Sequence, residues 1–137
     1  MKGRKLMAKI YKIWQVLTDL DIGTKADSPV WIQQDHYAYL IKFTFIRNRR
    51  PIANLYDIAG FPFVQFILPN GVQYEYELID IKEDTATFLI PDELLMEAGT
   101  TTMYVGWENQ GRRYVLNELF ININDNPWEV SLIDDNL

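Results

Sequence analysis

Hydrophobic and polar side chains alternate with a period of two along much of this 137-residue chain. In the run YLIKFTFI, the aromatic residues Phe43 and Phe45 alternate with the polar residues Lys42 and Thr44. This period is typical of a β-strand with one buried face and one face in water. The near-continuous apolar run at 61–68 is typical of a central strand. The pattern therefore predicts a chain built mainly of β-strands.

Polar clusters divide these apolar segments at intervals of about eight to twelve residues. Pro69-Asn70-Gly71 is a hairpin signal, because proline presets φ and glycine accepts a positive φ; Asn109-Gln110-Gly111 marks a second turn. About seven or eight short strands of this spacing predict an all-β fold, an antiparallel β-sandwich. By parity Trp107 belongs to its core. The other predicted core residues come from several strands: Phe43, Phe45, Val64, Phe66, Tyr76, Phe88, Val105 and Ile121.

One short helix is predicted at 91–98. Pro91 suits the first helical position, and the carboxylates of Asp92 and Glu93 suit the positive end of the helix dipole. Gly99 follows where a C-terminal cap needs a positive φ. The helix is expected to lie over one end of the sheets.

The N-terminal segment allows two structures, and both alternatives stay open. Apolar residues at helical spacing favour an amphipathic helix, whereas the many β-branched and aromatic residues favour a strand. The helical positions are Leu6, Ile10, Ile13, Leu17 and Leu20. A turn cluster at 23–29 then marks a boundary. We therefore divide the chain into an N-terminal extension (1–23, possibly helical), a β-sandwich domain (24–125) and a C-terminal extension or start of a stalk (126–137).

Composition narrows the classes of partner and cofactor. A net charge of −6 argues against nucleic acid and against an anionic membrane surface as partners. The chain has no cysteine, so disulfides, thiolate catalysis and Cys-ligated zinc are excluded. No apolar run approaches the roughly 18 residues that a membrane helix needs. We predict no nucleic-acid partner, no membrane and no cofactor.

Candidate catalytic residues are few. Glu75 and Glu77, two apart on a strand, would place carboxylates about 7 Å apart, a separation that could suit an inverting glycosidase. A solvated strand face is the favoured interpretation. His36 is the single histidine, so a multi-histidine metal site cannot form. The pairs Arg49-Arg50 and Arg112-Arg113 lie at turns. At such positions, a role in solubility is favoured over a role in binding an acidic partner. We predict no catalytic residue and no metal site.

Segment 85–124 carries a resemblance to a known family. IPDELLMEAGT, TMYVGWEN, GRRY and NELFININ follow one another as in the N-terminal domain of phage baseplate upper proteins, components of siphophage tails of Gram-positive hosts. Upstream, FVQFILPNGVQYEYELIDIKEDTATF resembles the same family, and the likeness runs from Lys9 to Asn124.

The resemblance implies a function and partners. It implies a structural adaptor of a tail baseplate or tail fibre, docking on the tail hub and linking it to receptor-binding parts for host attachment. The implied partners are other phage tail proteins and further copies of the chain, with a trimer favoured. The implied location is the virion tail, after synthesis in the host bacterial cytoplasm.

Two other function classes compete with the adaptor. A carbohydrate-binding β-sandwich that contacts host cell-wall glycans would need a row of exposed aromatic side chains. The candidates are Tyr11, Trp14, Trp31, Tyr37, Tyr56 and Trp128. A small hydrolase is the weakest alternative, because histidine and cysteine are so scarce.

Apolar side chains are in surplus at both ends of the sequence. Exposed apolar clusters mark interfaces, and aromatic anchors often dominate their binding energy. We therefore predict a terminal interface formed by Tyr11, Trp14, Leu17, Trp128, Leu132 and Ile133. The alternative is that these segments fold back and cap the ends of their own sandwich.

Overall fold

Ten β-strands and two short 3-10 helices form in residues 12–22, 28–33 and 39–125, which are the residues that the computed structural model describes. The strands are β1 Lys12–Asp19, β2 Val30–Ile32, β3 Tyr39–Arg47, β4 Arg50–Pro51, β5 Phe61–Ile67, β6 Gln73–Glu77, β7 Asp80–Lys82, β8 Thr85–Leu89, β9 Gly99–Asn109 and β10 Arg112–Asn124. The 3-10 helices are Leu55–Asp57 and Asp92–Leu95.

The strands form two five-stranded sheets. The first sheet has the order β1-β3-β8-β7, with β4 paired to β3, and the second has the order β2-β10-β9-β5-β6. The predicted all-β fold is confirmed. The purely antiparallel arrangement is corrected, because β1 pairs with β3 and β10 pairs with β2 in parallel. Between β1 and β3 in the sequence, the chain forms β2 in the second sheet. It then crosses back to the first sheet, so β3 runs in the same direction as β1, which a hairpin connection would not allow.

The extended alternative holds for the described part of the N-terminal segment. Strand β1 lies within the predicted extension 1–23, and its whole length is in register with β3. Val16 and Thr18 are buried between the sheets, whereas Ile13 and Leu17 point outward and are exposed. The burial therefore follows a period of two over 12–19 instead of the helical period; residues 1–11 lie outside the described ranges.

The core between the sheets contains the predicted aromatic and aliphatic side chains. Trp107 is buried there, as are Phe43, Phe45, Val64, Phe66, Val105 and Ile121. Tyr76 and Phe88 are half-buried at the margin of the core, and the ring of Phe88 stacks on Phe66 at a centroid distance of 5.9 Å. The predicted core is thus confirmed, with these two rings at its edge.

The predicted helix at 91–98 is present but shorter. It is a 3-10 turn over Asp92–Leu95 that buries Leu94 and Leu95. Gly99 has φ +129° but begins strand β9 instead of capping the helix. A Cβ atom at Gly99 would lie 2.9 Å from Cγ of Pro69, so the glycine lets the start of β9 pack against the β5–β6 hairpin.

The two hairpin turns are confirmed. Between β5 and β6 the amide of Gly71 donates to the Leu68 carbonyl at 2.8 Å, and the Asn70 side chain accepts from the Val72 amide at 2.9 Å. Between β9 and β10, Gln110 and Gly111 both have positive φ. Two consecutive positive φ values match the right-handed twist of the flanking strands.

Candidate functional site

A groove of about 360 Å³ lies at one end of the sandwich, beside the β9–β10 turn. Its apolar wall comes from several loops and strands, and includes Leu20, Ile58 and Leu116. Its aromatic and polar groups are Trp107, Tyr114, Arg47 and Asn109. A mixed cavity of this size, with a few polar groups around an apolar floor, is typical of a small binding site.

Trp107 forms a fixed wall of the groove. Its indole packs edge-to-face against Phe45 at 6.1 Å, and Nε1 donates to the Ala59 carbonyl at 2.8 Å. Gly60, at φ +101°, lies so close that a Cβ atom there would be 2.5 Å from Nε1. The indole N–H is therefore occupied, and the accessible ring of the groove is that of Tyr114, which is 50% exposed.

A buried carboxylate organises the chain beside the groove. Asp19, at the end of β1, accepts backbone hydrogen bonds from Asp21 (2.9 Å), Ile22 (3.3 Å), Asn48 (3.0 Å) and Arg49 (2.7 Å). Asn48 and Arg49 have φ of 49° and 65°, and these bonds hold them there. Burial acts to raise the pKa of Asp19, but the four amide donors outweigh it, so the pKa lies below its ordinary value. The carboxylate is structural, because its oxygens are already occupied.

Arg47, which lines the groove, immediately precedes the Asn48-Arg49 turn that Asp19 holds. The Arg47 Nε lies 3.5 Å from Oδ1 of Asp21, and both side chains are exposed. An exposed pair at this distance is weak. The Arg47 guanidinium is therefore accessible from solvent at the groove.

The two predicted carboxylates differ in surroundings. Glu75 lies on the outer face of the second sheet, where Arg113 binds both of its oxygens; the Nη1–Oε1 distance is 2.7 Å. Arg113 Nε donates to Glu108, and Gln65 donates to Glu75. The hydrogen bonds from Arg113 lower the pKa of Glu75 to about 2. A glycosidase acid needs a raised pKa, so pairing with Glu77 does not make Glu75 a proton donor.

A buried ring lies beneath this ion-pair layer. Phe63 points to the outer face of β5, where Gly106 is its neighbour on β9, and yet it is only 2% exposed. The Arg113 guanidinium covers it at 4.5 Å from the ring centroid. Sequence reasoning missed this unit, because its partners are far apart in the chain. The sequence does offer one signal for it. Phe63 immediately precedes the predicted core residue Val64, so alternation along the strand places the Phe63 ring on the outer face of the sheet.

The predicted interface residues are not brought together within the described ranges. Trp14 is half-buried and packs edge-on against Trp31 at 6.1 Å. Leu17 is 44% exposed on the outer face of the first sheet. Ile13, 56% exposed on the same face, was not singled out, although it shares strand parity with Leu17. The other candidates lie outside the described residues: Tyr11, Trp128, Leu132 and Ile133. The terminal interface stays a prediction.

The predicted glycan-stacking aromatics do not form a row in the described part of the chain. Trp31 is buried and stacks on Tyr39 at 4.9 Å, while Trp14 packs edge-on against Trp31. Tyr56 is exposed on the 3-10 helix 55–57. Tyr11, Tyr37 and Trp128 lie outside the described residues.

Within residues 12–22, 28–33 and 39–125, no group of three or more histidine or acidic side chains is placed to hold a metal ion. Within the same residues, no helix is long and apolar enough to cross a bilayer.

Comparison with known proteins found a likeness of fold. The N-terminal domain of phage TP901-1 ORF48 matches with a TM-score of 0.59 at 12% sequence identity, covering 82% of this chain and 98% of that one. No family model matches the chain, and no curated protein matches it. The resemblance to a phage domain that the sequence indicated is confirmed at the level of fold.

Proposed function

We propose that this chain is a structural module of a phage tail, which works by binding other tail proteins. The observation that carries the proposal is the fold likeness to a complete N-terminal domain of a phage protein. The same conclusion follows from the sequence resemblance of segment 85–124 to baseplate proteins. The sequence resemblance and the fold likeness thus favour the same class of protein.

The carboxylate chemistry favours binding over catalysis. The acidic side chains with the most defined surroundings serve the fold: Asp19 holds a turn, and Glu75 is paired with Arg113. Tyr76 donates to Glu93 at 2.6 Å, which joins the 3-10 helix 92–95 to β6. We therefore propose a protein without catalytic activity.

In finer detail, we propose an adaptor that docks on the tail hub and links it to receptor-binding parts. Docking needs apolar side chains that the sandwich does not use itself. Leu17 is such a side chain among the residues predicted for the interface, whereas Trp14 packs on Trp31. The proposed interface also includes Tyr11, Trp128, Leu132 and Ile133, which lie outside the described residues.

The test is whether the protein belongs to the virion. Particles of the phage whose genome encodes this chain are purified, analysed by mass spectrometry and labelled with gold-conjugated antibody against the full chain. We expect the chain in the purified particles and the label at the tail tip. A chain that is abundant in infected cells but absent from purified virions would contradict the proposal.

A glycan-binding role is the second candidate, favoured by the groove with its half-exposed Tyr114 and its Arg47 rim. Binding of host cell-wall fragments to the full chain would be lost in Tyr114→Ala. Tyr56→Ala is the matched control, because Tyr56 is exposed but lies outside this groove. Binding that both variants retain would exclude the groove as a glycan site.

A further inference from the structure

Strand β1 is an open edge of the first sheet within the described residues. It pairs with β3 on one side, from Lys12 opposite Tyr39 to Asp19 opposite Ile46, and with no other described strand. The register has no bulge over its eight residues. A long, regular edge strand is a template for pairing with another chain.

The other described edge strands carry protection that β1 lacks. β2 and β7 have three residues each, and β7 has the charged residues Asp80 and Lys82. β6 has five residues and presents Glu75 and Glu77 on its outer face. Short length and charge are the usual means by which edges avoid pairing. β1, in contrast, runs IWQVLT between its terminal charges, without a proline.

Two of the three outward-facing side chains in the middle of β1 are also apolar, with Gln15 between them. Ile13 is 56% and Leu17 is 44% exposed. The register extends this surface across the sheet, because Ile13 lies opposite Leu40 and Leu40 lies opposite Leu89. Apolar side chains at an unprotected edge lose water contact when a further strand is added.

The sequence of β1 allows two copies of the strand to pair with each other in antiparallel orientation. In an antiparallel pair centred on Gln15, Ile13 of each copy faces Leu17 of the other, and Trp14 faces Val16. Lys12 faces Thr18, so no like charges meet. Apolar and aromatic pairs directly opposite one another stabilise a sheet, and each of these occurs twice about a two-fold axis.

We propose that the β1 edge binds the β1 edge of a second copy, which joins the two first sheets into one continuous sheet. This pairing goes beyond the phage-tail role. It is tested by self-association of the purified chain, whereas the tail role is tested by the presence of the chain in virions. It specifies a two-fold dimer, whereas the family resemblance implies a trimer.

Charge substitutions with a built-in rescue test the pairing. Ile13→Glu and Leu17→Lys each place a charge against an apolar side chain twice per dimer. Sedimentation velocity over about a hundredfold range of concentration of the full chain should reveal a dimer. Each variant should associate about tenfold or more weakly. An equal mixture of the two variants should recover association, because the new glutamate then faces the new lysine.

The matched control is Phe120→Lys, which alters an equally exposed side chain (44%) on the outer face of the second sheet. It should leave association unchanged, and circular dichroism melts should show all three variants folded. Rescue by mixing cannot arise from misfolding, so it separates a lost interface from a lost fold.

Several outcomes would overturn the proposal. One is a parent that stays monomeric at every concentration, and another is a dimer or trimer that both charge variants leave intact. A third is loss of the dimer on removing residues 126–137, which would indicate that the contact between copies is made by the C-terminal segment and not by β1. A truncated chain that still dimerises and remains sensitive to Ile13→Glu would support the proposal.

Discussion

Gly106 leaves the space in which the Phe63 ring lies, and filling that space tests the packing of the outer layer. A Cβ atom on residue 106 would lie 2.3 Å from Cζ and 2.6 Å from Cε2 of Phe63, and 2.7 Å from the Tyr114 carbonyl oxygen. Carbon atoms cannot approach so closely. Gly106→Ala therefore forces the ring out from beneath Arg113 or moves β10, which has an irregular register beside this point, between Val115 and Asn117.

Two opposing effects set the size of the change. Overpacking a filled site costs about 1–3 kcal/mol of the free energy of unfolding. Replacing a strand glycine with alanine recovers about 0.5–1 kcal/mol by lowering the entropy of the unfolded chain. The overpacking is larger, so we expect a net loss of about 1–2 kcal/mol. For a chain of this length, that loss lowers the melting temperature by about 3–7 °C.

Urea denaturation of four proteins isolates the contribution of the ring: the parent, Gly106→Ala, Phe63→Leu and the double variant. Leucine lacks Cε2 and Cζ, the two ring atoms that the new methyl group would meet. We expect Gly106→Ala to cost about 1 kcal/mol less in the Phe63→Leu background. An equal cost in both backgrounds, or a cost under about 0.5 kcal/mol in the parent, would refute this account.

Three further predictions concern single side chains. Because the folded-state pKa of Glu75 lies near 2 and its ordinary value is 4.5, its pairing stabilises the fold above pH 4.5, and this contribution is lost as the pH falls towards 2. In the Glu75→Gln variant, the free energy of unfolding should fall less between pH 4.5 and pH 2 than in the parent. The difference should be under about 1 kcal/mol, because the pair is partly exposed. Asp19→Asn should lower the melting temperature clearly more than the control Asp21→Asn, because the amide cannot accept all four backbone bonds. Trp14→Ala should destabilise the isolated chain by ~2 kcal/mol through lost contact with Trp31, and an unchanged thermal melt would instead assign Trp14 to a partner.

The hairpins and the core could be predicted from sequence because their signals are local. Alternation around Phe43 and Phe66 identifies the buried faces, and Pro69-Asn70-Gly71 specifies its own turn. The parallel pairs could not be predicted in this way. A period of two defines which face of β1 is buried, but it carries no information about which strand lies beside it.

The helix at 91–98 was overestimated because Gly99 has two possible roles. A positive φ suits both a helix cap and the first residue of a strand that passes close to Pro69, and the structure uses the second. Which role Gly99 takes depends on Pro69, thirty positions earlier in the chain. A local sequence pattern around Gly99 does not include that residue.

The functional residues depend even more on distant contacts. Arg113 at a turn is typical of a solvated side chain, yet it binds Glu75, thirty-eight positions earlier in the chain. Asp19 at the end of a strand is unremarkable in sequence, and its importance follows from the amides of the turn at Asn48 and Arg49. Such pairings become visible only when the fold brings the partners together.

The parallel pairing of β2 with β10 has a consequence for synthesis of the chain. Val30 emerges from the ribosome early, but its neighbour Asn122 is among the last residues of the sandwich to be made. At ordinary rates of translation, this leaves β2 without its hydrogen-bonding neighbour for about 5 to 20 s. The buried face of Trp31 stays uncovered by Ile123 for the same period. The second sheet is therefore completed only after β10 has been synthesised, so a nascent chain stalled before β10 exposes an aromatic surface that is a target for chaperones.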